Sequence, residues 1–546
     1  MDKVKNEKKP SFMKNVMILI SSQIIIKILG LIYRLVIINI DGFGDVGNGY
    51  YSTGYNLYAL LLTLSSIGLP SVVSKLVSER LAVEDKVGAQ RVFKVAMIFF
   101  VSIGIVLSVL LFFGAEFIAN NVYKTPDVKY VLKVLAPAIA FVSALSIFRG
   151  YFMGQNNMKP SSISQTLEQF LNCVLSITFV YMAIGKESYI MAAAGNLSTT
   201  LAVIITFIYF SMYYKANKIK PEKGQISKEK SKTNRQILKI ILTISIPITL
   251  GSIISVINPV LDNTTVTNCI KHAFSNLITS PEVLQQKAME LIGMLSKAET
   301  LIGLPLAINL AFSTALIPTI SASMAKKDYT LAEKRIRFSV FASIIIIIPC
   351  AIGYIVLSQN IFRMLYPTAS NGAGILQILA ISMMFMALSQ TLNGALYGIS
   401  KVRIPVIALS VGVFVKLFLN ILLISNPNIN IYGAAIGSVA CQFIAFVISF
   451  VSLNRSIKLN LQLKQNLVKP LIAGIIMGIG VFAVNIILNN VVGAALNCII
   501  SIMVGALIYI ILIFTLRVLS EEDIRMIPFG SKIYNQLVKY KIYKQN

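Results

Sequence analysis

The sequence predicts an all-α integral membrane protein with about 14 transmembrane helices, arranged as two pseudo-symmetric six-helix lobes plus two C-terminal helices. Its composition, a series of long apolar runs and an internal repeat support this fold class. Of the 546 residues, 56% are hydrophobic and only 13% are charged. Soluble domains carry about 25% charged residues, so this chain has too few polar side chains to cover a water-soluble globule. The composition excludes a soluble multidomain enzyme and a disordered chain.

The apolar runs are long enough to cross a bilayer as helices. A helix needs about 20 apolar residues to span a hydrocarbon core of ~30 Å. The runs, numbered as predicted spans 1 to 14, are 14–40, 50–75, 92–114, 130–153, 160–184, 189–213, 237–262, 291–323, 338–358, 374–397, 404–424, 432–453, 468–489 and 493–516. Gly, Pro, Asn and charged residues separate them, as expected for connecting loops.

The distribution of Lys and Arg predicts the orientation. With the N-terminus on the cytoplasmic side, 38 of the 49 basic residues fall in inner segments and 6 in outer loops. Basic residues concentrate on the cytoplasmic side of membrane proteins, so we expect both termini to be cytoplasmic. The net charge is +27. Because the basic residues lie between apolar runs, we expect anionic phospholipids as partners rather than nucleic acid.

The two halves of the chain resemble each other at an offset near 244 residues. Segment 132–136 matches 376–380, segment 149–154 matches 393–398, and Tyr123 corresponds to Tyr366. An even number of spans per lobe makes the repeat parallel, with a central cavity that opens to either face by rocking. The predicted organisation is an N-lobe (1–213), a basic cytoplasmic linker (214–236), a C-lobe (237–453), and a last region (454–546) with spans 13 and 14 and a basic cytoplasmic tail.

Five basic residues lie inside apolar runs, where a charge costs several kcal/mol unless it is paired or faces water. One of them is Lys133, and the other four are candidates for substrate binding. These candidate substrate-binding residues are Lys27, Arg34, Lys297 and Lys416. Lys27 and Arg34 are seven residues apart and are expected on one face of the first span. Arg and Lys donate charge-assisted hydrogen bonds, so this set suits a phosphate or pyrophosphate group.

Three acidic residues are candidates for countercharges or for a coupling-cation site: Glu168, Asp262 and Glu299. Asp262 is expected at the end of span 7, next to an outer loop over 263–290. A structural alternative remains open for the charged residues. Pairs such as Glu168–Lys416 or Lys297–Glu299 would then only fix helix packing.

Motifs for cofactor chemistry are absent from the sequence or lie in the wrong context. Segment 42–47 fits GxGxxG, but it joins two predicted membrane helices rather than a strand and a helix, so we expect a tight loop and no nucleotide. No GxxxxGK[ST] motif occurs, so transport would use an ion gradient, the membrane potential or the cargo gradient. With one histidine, His272, and no CxxC pair, we expect no metal site, no cofactor and no enzymatic activity.

Three motifs carry a family resemblance over essentially the whole chain. They are Lys27-Ile28-Leu29-Gly30-Leu31-Ile32-Tyr33-Arg34, the segment Ser66–Lys75, and Arg149–Gln155 continuing to Gln165–Gln169. With the span count and the two lobes, they resemble the multidrug/oligosaccharidyl-lipid/polysaccharide (MOP) exporter superfamily. Within it the chain resembles the polysaccharide-biosynthesis branch, which holds stage V sporulation protein B and lipid II flippases of the MurJ type.

The resemblance implies a function and places residues. It implies translocation of an undecaprenyl-pyrophosphate-linked saccharide from the inner to the outer leaflet of a bacterial plasma membrane. In that branch basic residues of helices 1, 2 and 8 line the cavity, and helices 13 and 14 form a groove for the lipid tail. Lys27 matches the helix 1 position, and Lys297 is a counterpart on helix 8. Span 2 departs from the pattern, because it has Asn56 and Tyr58 but no basic residue before Lys75.

The function expected from the sequence is therefore a flippase for a lipid-linked saccharide, with lipid II for peptidoglycan synthesis as the leading cargo. Alternatives are an exporter of another lipid-linked polysaccharide unit and an ion-coupled multidrug antiporter of the same superfamily. The excess of basic residues inside the predicted spans disfavours the antiporter, which needs acidic residues to bind cationic drugs. A membrane-embedded glycosyltransferase would need catalytic carboxylates in a large outer loop, and the longest predicted one has only Glu282 and Glu290.

Overall fold

The computed structural model describes residues 12–66, 68–220, 233–459, 464–489 and 491–519, together with residues 524, 534 and 538. Over these residues it contains long α-helices and two short π-helical segments, and no strand. The helices are α1 (Phe12–Ile38), α2 (Gly44–Ser66), α3 (Leu69–Ala82), α4 (Lys86–Phe117), α5 (Val128–Gly154), α6 (Lys159–Met182), α7 (Ser188–Asn217), α8 (Asn234–Phe274), α9 (Pro281–Ala325), α10 (Tyr329–Leu365), α11 (Ala373–Gly398), α12 (Arg403–Ile424), α13 (Tyr432–Ser456), α14 (Lys469–Asn489) and α15 (Ala494–Thr515).

The predicted all-α membrane fold is confirmed. Every predicted span overlaps helical structure in the part of the chain that the structure describes. Eleven helices there are long and apolar enough to cross a membrane, or twelve if the two parts of α8, bent by 41°, count as one span. The number of fourteen spans stays a prediction.

Predicted span 2 is not one continuous helix. α2 ends at Ser66 and α3 begins at Leu69. Gly68 has a φ of 85°, and Pro70 follows in the first turn of α3. Glycine adopts this left-handed backbone without a Cβ clash, and proline suits a first helical turn because its missing N–H has no intrahelical partner there. The Gly-Leu-Pro segment therefore breaks the span.

The predicted outer loop over 263–290 is largely helical. α8 continues to Phe274 and α9 begins at Pro281, so Asp262 lies inside α8 rather than at its end. The prediction ended the span at a polar run, but these side chains stay within the helix. The Thr264 hydroxyl donates to the Val260 carbonyl oxygen and the Thr265 hydroxyl to that of Leu261, each at 2.8 Å. These hydroxyls therefore find their acceptors on the helix itself, so the polar run is accommodated without leaving the helix.

The connection between α1 and α2 is tight, with Gly42 at a φ of 82°. The predicted loop is shorter than the GxGxxG segment 42–47, because α2 already begins at Gly44. Most of the predicted basic linker is not covered, since residues 221–232 lie outside the described residues. Most of the C-terminal basic tail lies outside them as well.

The chain forms two compact units. The N-unit comprises Met1–Lys271 and Leu277–Gly293, and the C-unit comprises His272–Asn276 and Met294–Asn546. The predicted lobes (1–213 and 237–453) stay a prediction, because they rest on the repeat whereas the units are defined by spatial proximity.

Each unit has its own apolar core. The N-unit core is rich in aromatic side chains: the Phe93 ring stacks on Tyr214 with centroids 4.6 Å apart and lies 4.9 Å from Tyr151. The C-unit core is mainly aliphatic, with Ile336 and Leu396 fully buried. Within the C-unit, α14 and α15 pack on each other and on α10. Buried apolar side chains alone do not define a functional site, which also needs polar groups.

Matching glycines bring helices into close contact in both units. A Cβ added at Gly150 of α5 would lie 2.8 Å from the Pro70 carbonyl oxygen of α3, and one at Gly394 of α11 would lie 2.6 Å from the Ser313 carbonyl oxygen of α9. Helix backbones in membranes approach this closely only where small residues face each other. Gly150 and Gly394 are equivalent in the repeat. Close helix packing at an equivalent glycine therefore occurs in each half of the sequence.

We expect Gly150→Ala and Gly394→Ala each to lower the stability of the purified protein. The added methyl meets backbone rather than a movable side chain, and overpacking costs about 1–3 kcal/mol. Thermal unfolding in detergent measures the effect. Gly303→Ala and Gly353→Ala are matched controls, since an added Cβ there meets no atom within 4 Å. Equal melting temperatures for all four variants would contradict the close packing.

Candidate functional site

Lys27 and Arg34 of α1 lie in different environments, although seven residues separate them. Lys27 is exposed, whereas Arg34 is half-buried. The Arg34 guanidinium carbon is 5.3 Å from the centroid of the Tyr51 ring of α2. A cation placed over an aromatic face is attracted by the ring quadrupole, more strongly where water is excluded. Arg34 thus faces other side chains of the protein, whereas Lys27 remains accessible.

Tyrosines of α2 extend from Arg34 along one helix face. Tyr51, Tyr55 and Tyr58 follow each other at intervals of four and three residues, which places them on one side of a helix. The rings of Tyr51 and Tyr55 stack with centroids 6.2 Å apart, and those of Tyr55 and Tyr58 lie 5.7 Å apart. The spacing of these tyrosines is visible in the sequence, but the spacing alone did not indicate a function for them.

A buried ion pair lies close to the tyrosines. Arg149 Nη2 of α5 donates to Glu168 Oε2 of α6 at 2.6 Å. Arg149 Nε donates to the Ser164 hydroxyl at 3.0 Å. Helix α6, which carries Glu168, packs against α1, which carries Arg34. We define the Arg34–Glu168 cluster as Arg34, Tyr33, Tyr51, Tyr55, Tyr58, Glu168 and Arg149.

Arg149 is a residue that sequence reasoning missed as a buried charge. Arg149 lies near the end of predicted span 4 and was counted with the inner segment that follows. In the structure it lies inside α5 (Val128–Gly154) and is only 8% exposed. Its place in the repeated segment 149–154 was the available signal. Glu168 is therefore paired inside the N-unit, with a partner other than Lys416.

Asp262 is the other acidic candidate of the N-unit. It is 2% exposed, and its neighbour Asn263 is 4% exposed. The Thr265 hydroxyl approaches the Asp262 carbonyl oxygen at 3.2 Å. The side chain thus belongs to the buried polar face of α8.

Lys297 of α9 is fully buried in the C-unit. Its ammonium donates to the carbonyl oxygens of Ala369 and Asn371, the latter at 3.2 Å. It also lies 5.3 Å from the Phe362 ring centroid and 5.1 Å from that of Tyr366. Carbonyl dipoles and aromatic faces offset the cost of removing the charge from water. Lys297 thereby anchors the turn between α10 and α11.

The other two candidates of the C-unit are Lys416 and Glu299. Lys416 of α12 is 2% exposed, and a Cβ added at Gly437 of α13 would lie 3.2 Å from its Cγ. Glu299 is half-buried on α9, two residues beyond Lys297. The structure therefore encloses both predicted lysines of this unit within helix packing.

The N-unit site combines one accessible cation with an enclosed polar cluster. Aromatic rings with one polar edge and paired charges suit binding of an anion with an attached polar group. In the part of the chain that the structure describes, no group of three or more His, Cys, Asp or Glu side chains is placed to hold a metal ion. The charged and polar side chains of this site can recognise a ligand by charge and hydrogen bonding.

Comparison with known proteins identifies relatives over almost the whole chain. Residues 12–324 match the family model described as Polysaccharide biosynthesis protein, and residues 291–422 match the model MatE. Stage V sporulation protein B of Bacillus subtilis (strain 168) is 25% identical, covering 96% of this chain and 99% of the relative. Lipid II flippase MurJ of the same organism is 25% identical, covering 92% and 95%.

A solved structure shares the fold. The lipid II flippase MurJ in an inward closed conformation matches with a TM-score of 0.69 and 18% identity, over 95% of this chain and 100% of that chain. This likeness supports the helical membrane architecture described above.

We expect Arg149→Met to destabilise the protein by about 3 kcal/mol, because it leaves the half-buried Glu168 carboxylate without its cation. The double variant Arg149→Met/Glu168→Leu should recover most of this loss. Thermal unfolding of the single and double variants gives the coupling. Lys129→Met, which breaks the more exposed Lys129–Glu116 pair (3.1 Å), is the control, with a much smaller expected loss because water screens exposed pairs. If the stability losses of the Arg149 and Glu168 substitutions simply add, the two side chains do not stabilise each other as proposed.

We expect Lys297→Met to loosen the turn between α10 and α11. The variant removes the donor from two carbonyl oxygens, which costs about 1–3 kcal/mol. Hydrogen–deuterium exchange over residues 366–372 should accelerate. Lys287→Met on the same helix is the matched control, because Lys287 is half-exposed and pairs with Glu290 one turn away. Unchanged exchange in Lys297→Met would show that the ammonium does not hold the turn.

Proposed function

Because the chain belongs to the polysaccharide biosynthesis protein family of the MOP exporter superfamily, we propose that it is a flippase for an undecaprenyl-pyrophosphate-linked saccharide. We propose lipid II as the cargo, moved from the inner to the outer leaflet of a bacterial plasma membrane for peptidoglycan synthesis. The observation that carries the proposal is the exposure of Lys27 on the same helix as Arg34. The charge of Arg34 faces the ring of Tyr51. Relatives named as a lipid II flippase and a sporulation protein support it.

In the proposed mechanism Lys27 makes the first contact with the pyrophosphate. Its ammonium is accessible, and a phosphate oxygen is a strong charge-assisted acceptor. Arg34 adds a second positive charge on the same helix. Tyr55 and Asn56 of α2 are half-buried, and we propose that they supply the polar and aromatic surface for the saccharide. The saccharide then exchanges its hydration for these groups while the prenyl tail stays in lipid beside α14 and α15.

Lys297 and Lys416 have a different place in this proposal. Both are enclosed in the C-unit, so they bind substrate only in a conformation where they release their present contacts. The carbonyl oxygens that hold Lys297 are neutral acceptors. A pyrophosphate is a stronger acceptor for an ammonium ion. We propose that this exchange accompanies transport, with the acids Glu168, Asp262 and Glu299 as countercharges or as ligands of a coupling cation.

Transport in this proposal is alternating access by two lobes, 1–213 and 237–453, with 214–236 as their cytoplasmic linker. Both termini are cytoplasmic, as the Lys and Arg distribution predicts. The driving force is an ion gradient, the membrane potential or the cargo gradient. No catalytic step on the substrate is required.

A second candidate is an ion-coupled multidrug antiporter. The MatE match over residues 291–422 favours it. A cationic drug would need accessible carboxylates, but Asp262 is buried and Glu168 is paired with Arg149. A third candidate, export of another lipid-linked polysaccharide unit, uses the same pyrophosphate contacts and differs only in the saccharide.

We expect Lys27→Ala to abolish flipping of lipid II while the protein is still produced and folded. Loss of the accessible ammonium removes the first pyrophosphate contact. The assay uses proteoliposomes with labelled lipid II and measures the labelled head group that becomes accessible from outside. Lys27→Arg should keep most of the activity because it retains the charge.

Lys326→Ala is the matched control, since Lys326 is exposed on a loop and its loss should leave the rate unchanged. Wild-type transport by Lys27→Ala would remove the proposed role of Lys27. If the wild-type protein instead moves no lipid II but confers resistance to cationic drugs, the antiporter is the correct function.

A further inference from the structure

The N-unit has an open apolar groove that the transport mechanism does not use. It lies between α4, α5 and α7 and has a volume of about 510 Å³. Met97 and Val101 of α4, Phe148 of α5 and Phe207 of α7 line it. The surface is almost wholly hydrocarbon, so it favours an apolar occupant over water.

The length of the groove matches one leaflet of a bilayer. On α4 its lining runs from Phe93 to Ser102. Nine steps at 1.5 Å give about 14 Å along the helix axis, and half of a hydrocarbon core of ~30 Å is ~15 Å. The groove begins near the end of α4 that is predicted to be cytoplasmic. These dimensions suit one acyl chain of an inner-leaflet phospholipid.

Positive charges lie at the same end of the groove. Lys94 is exposed on α4, one turn before Ile98 of the lining, and Lys218 is exposed directly after α7. The side-chain amide of Gln90 donates to the Ile219 carbonyl oxygen, and the Ile219 N–H donates to the Tyr151 hydroxyl at 3.0 Å. These bonds hold the segment that contains Lys218 beside the start of α4.

No acid offsets these charges locally in the sequence. Segments 86–102, 141–148 and 203–220, which supply the lining and its rim, contain no Asp or Glu. An anionic head group at this end of the groove would meet the two lysines. Basic residues near a membrane surface attract anionic lipids.

We propose that this groove is a binding site for an anionic phospholipid, with one acyl chain between α4, α5 and α7 and the phosphate near Lys94 and Lys218. A zwitterionic lipid places its own cation near the lysines and gains less. An undecaprenyl chain is far longer than the ~14 Å of lining and is a poorer fit. The site is independent of the transported cargo.

The sequence contains no tryptophan, so a single introduced tryptophan reports on its own surroundings. Ile98→Trp places the probe at the groove, where Ile98 is 72% exposed. Val411→Trp of α12 is the control: Val411 is 41% exposed and lies at a similar depth in its predicted span. Quenching by brominated phosphatidylglycerol and brominated phosphatidylcholine, in bilayers of the full-length protein, gives the relative binding constant at each probe.

We expect phosphatidylglycerol to bind about five-fold more tightly than phosphatidylcholine at Ile98→Trp, but with a ratio of about one at Val411→Trp. Adding Lys94→Gln/Lys218→Gln should bring the first ratio to that of the control. Lys326→Gln/Lys327→Gln removes two exposed lysines elsewhere and should leave it unchanged. Equal ratios at the two probes, or a ratio insensitive to Lys94 and Lys218, would overturn the proposal. Displacement of phosphatidylglycerol by a smaller amount of undecaprenyl phosphate would assign the groove to an isoprenoid and also overturn it.

Discussion

The cost of keeping a cation away from water constrains several side chains of this molecule. Three of the enclosed basic side chains obtain compensation of different kinds. Arg34 has an aromatic face, Arg149 has a carboxylate, and Lys297 has two carbonyl oxygens and two rings. These contacts connect α1 with α2, α5 with α6, and α9 with the turn after α10. The charges therefore add polar links between these elements, in addition to any role toward substrate.

The internal repeat provides a second, uncharged constraint. Gly150 and Gly394 permit equivalent close approaches in the two units, and Tyr123 and Tyr366 are both fully buried. Charge does not follow this equivalence: Arg149 occupies the position where the second half has Asn393. The two halves thus share a packing scheme but present different chemistry. Such a difference is expected where one half supplies the main contacts to an anionic ligand.

The sequence predicted the helical architecture because apolar runs of bilayer length have few alternatives to a helix. It failed at helix ends: α8 continues past Asp262 through a polar run, and Gly68 divides span 2. For the site, the sequence located charges at depth but not their surroundings. Arg149 was missed because it lies near the end of predicted span 4 and its carboxylate partner lies on the next helix. Lys297 could not be recognised as enclosed because its partners are backbone oxygens more than seventy residues away.

The interruption between α2 and α3 has a consequence for how this span meets the lipid. A broken helix leaves carbonyl groups that neither water nor hydrocarbon can satisfy at that depth. Here hydroxyls surround the interruption: Thr63 donates to the Ala59 carbonyl oxygen at 2.8 Å, and Ser66 approaches the Ser143 hydroxyl at 3.4 Å. Hydroxyl groups rotate and exchange acceptors at little cost. The hydroxyl groups of Ser66 and Ser143 thus give the end of α2 a polar neighbour inside the protein, which lipid could not supply.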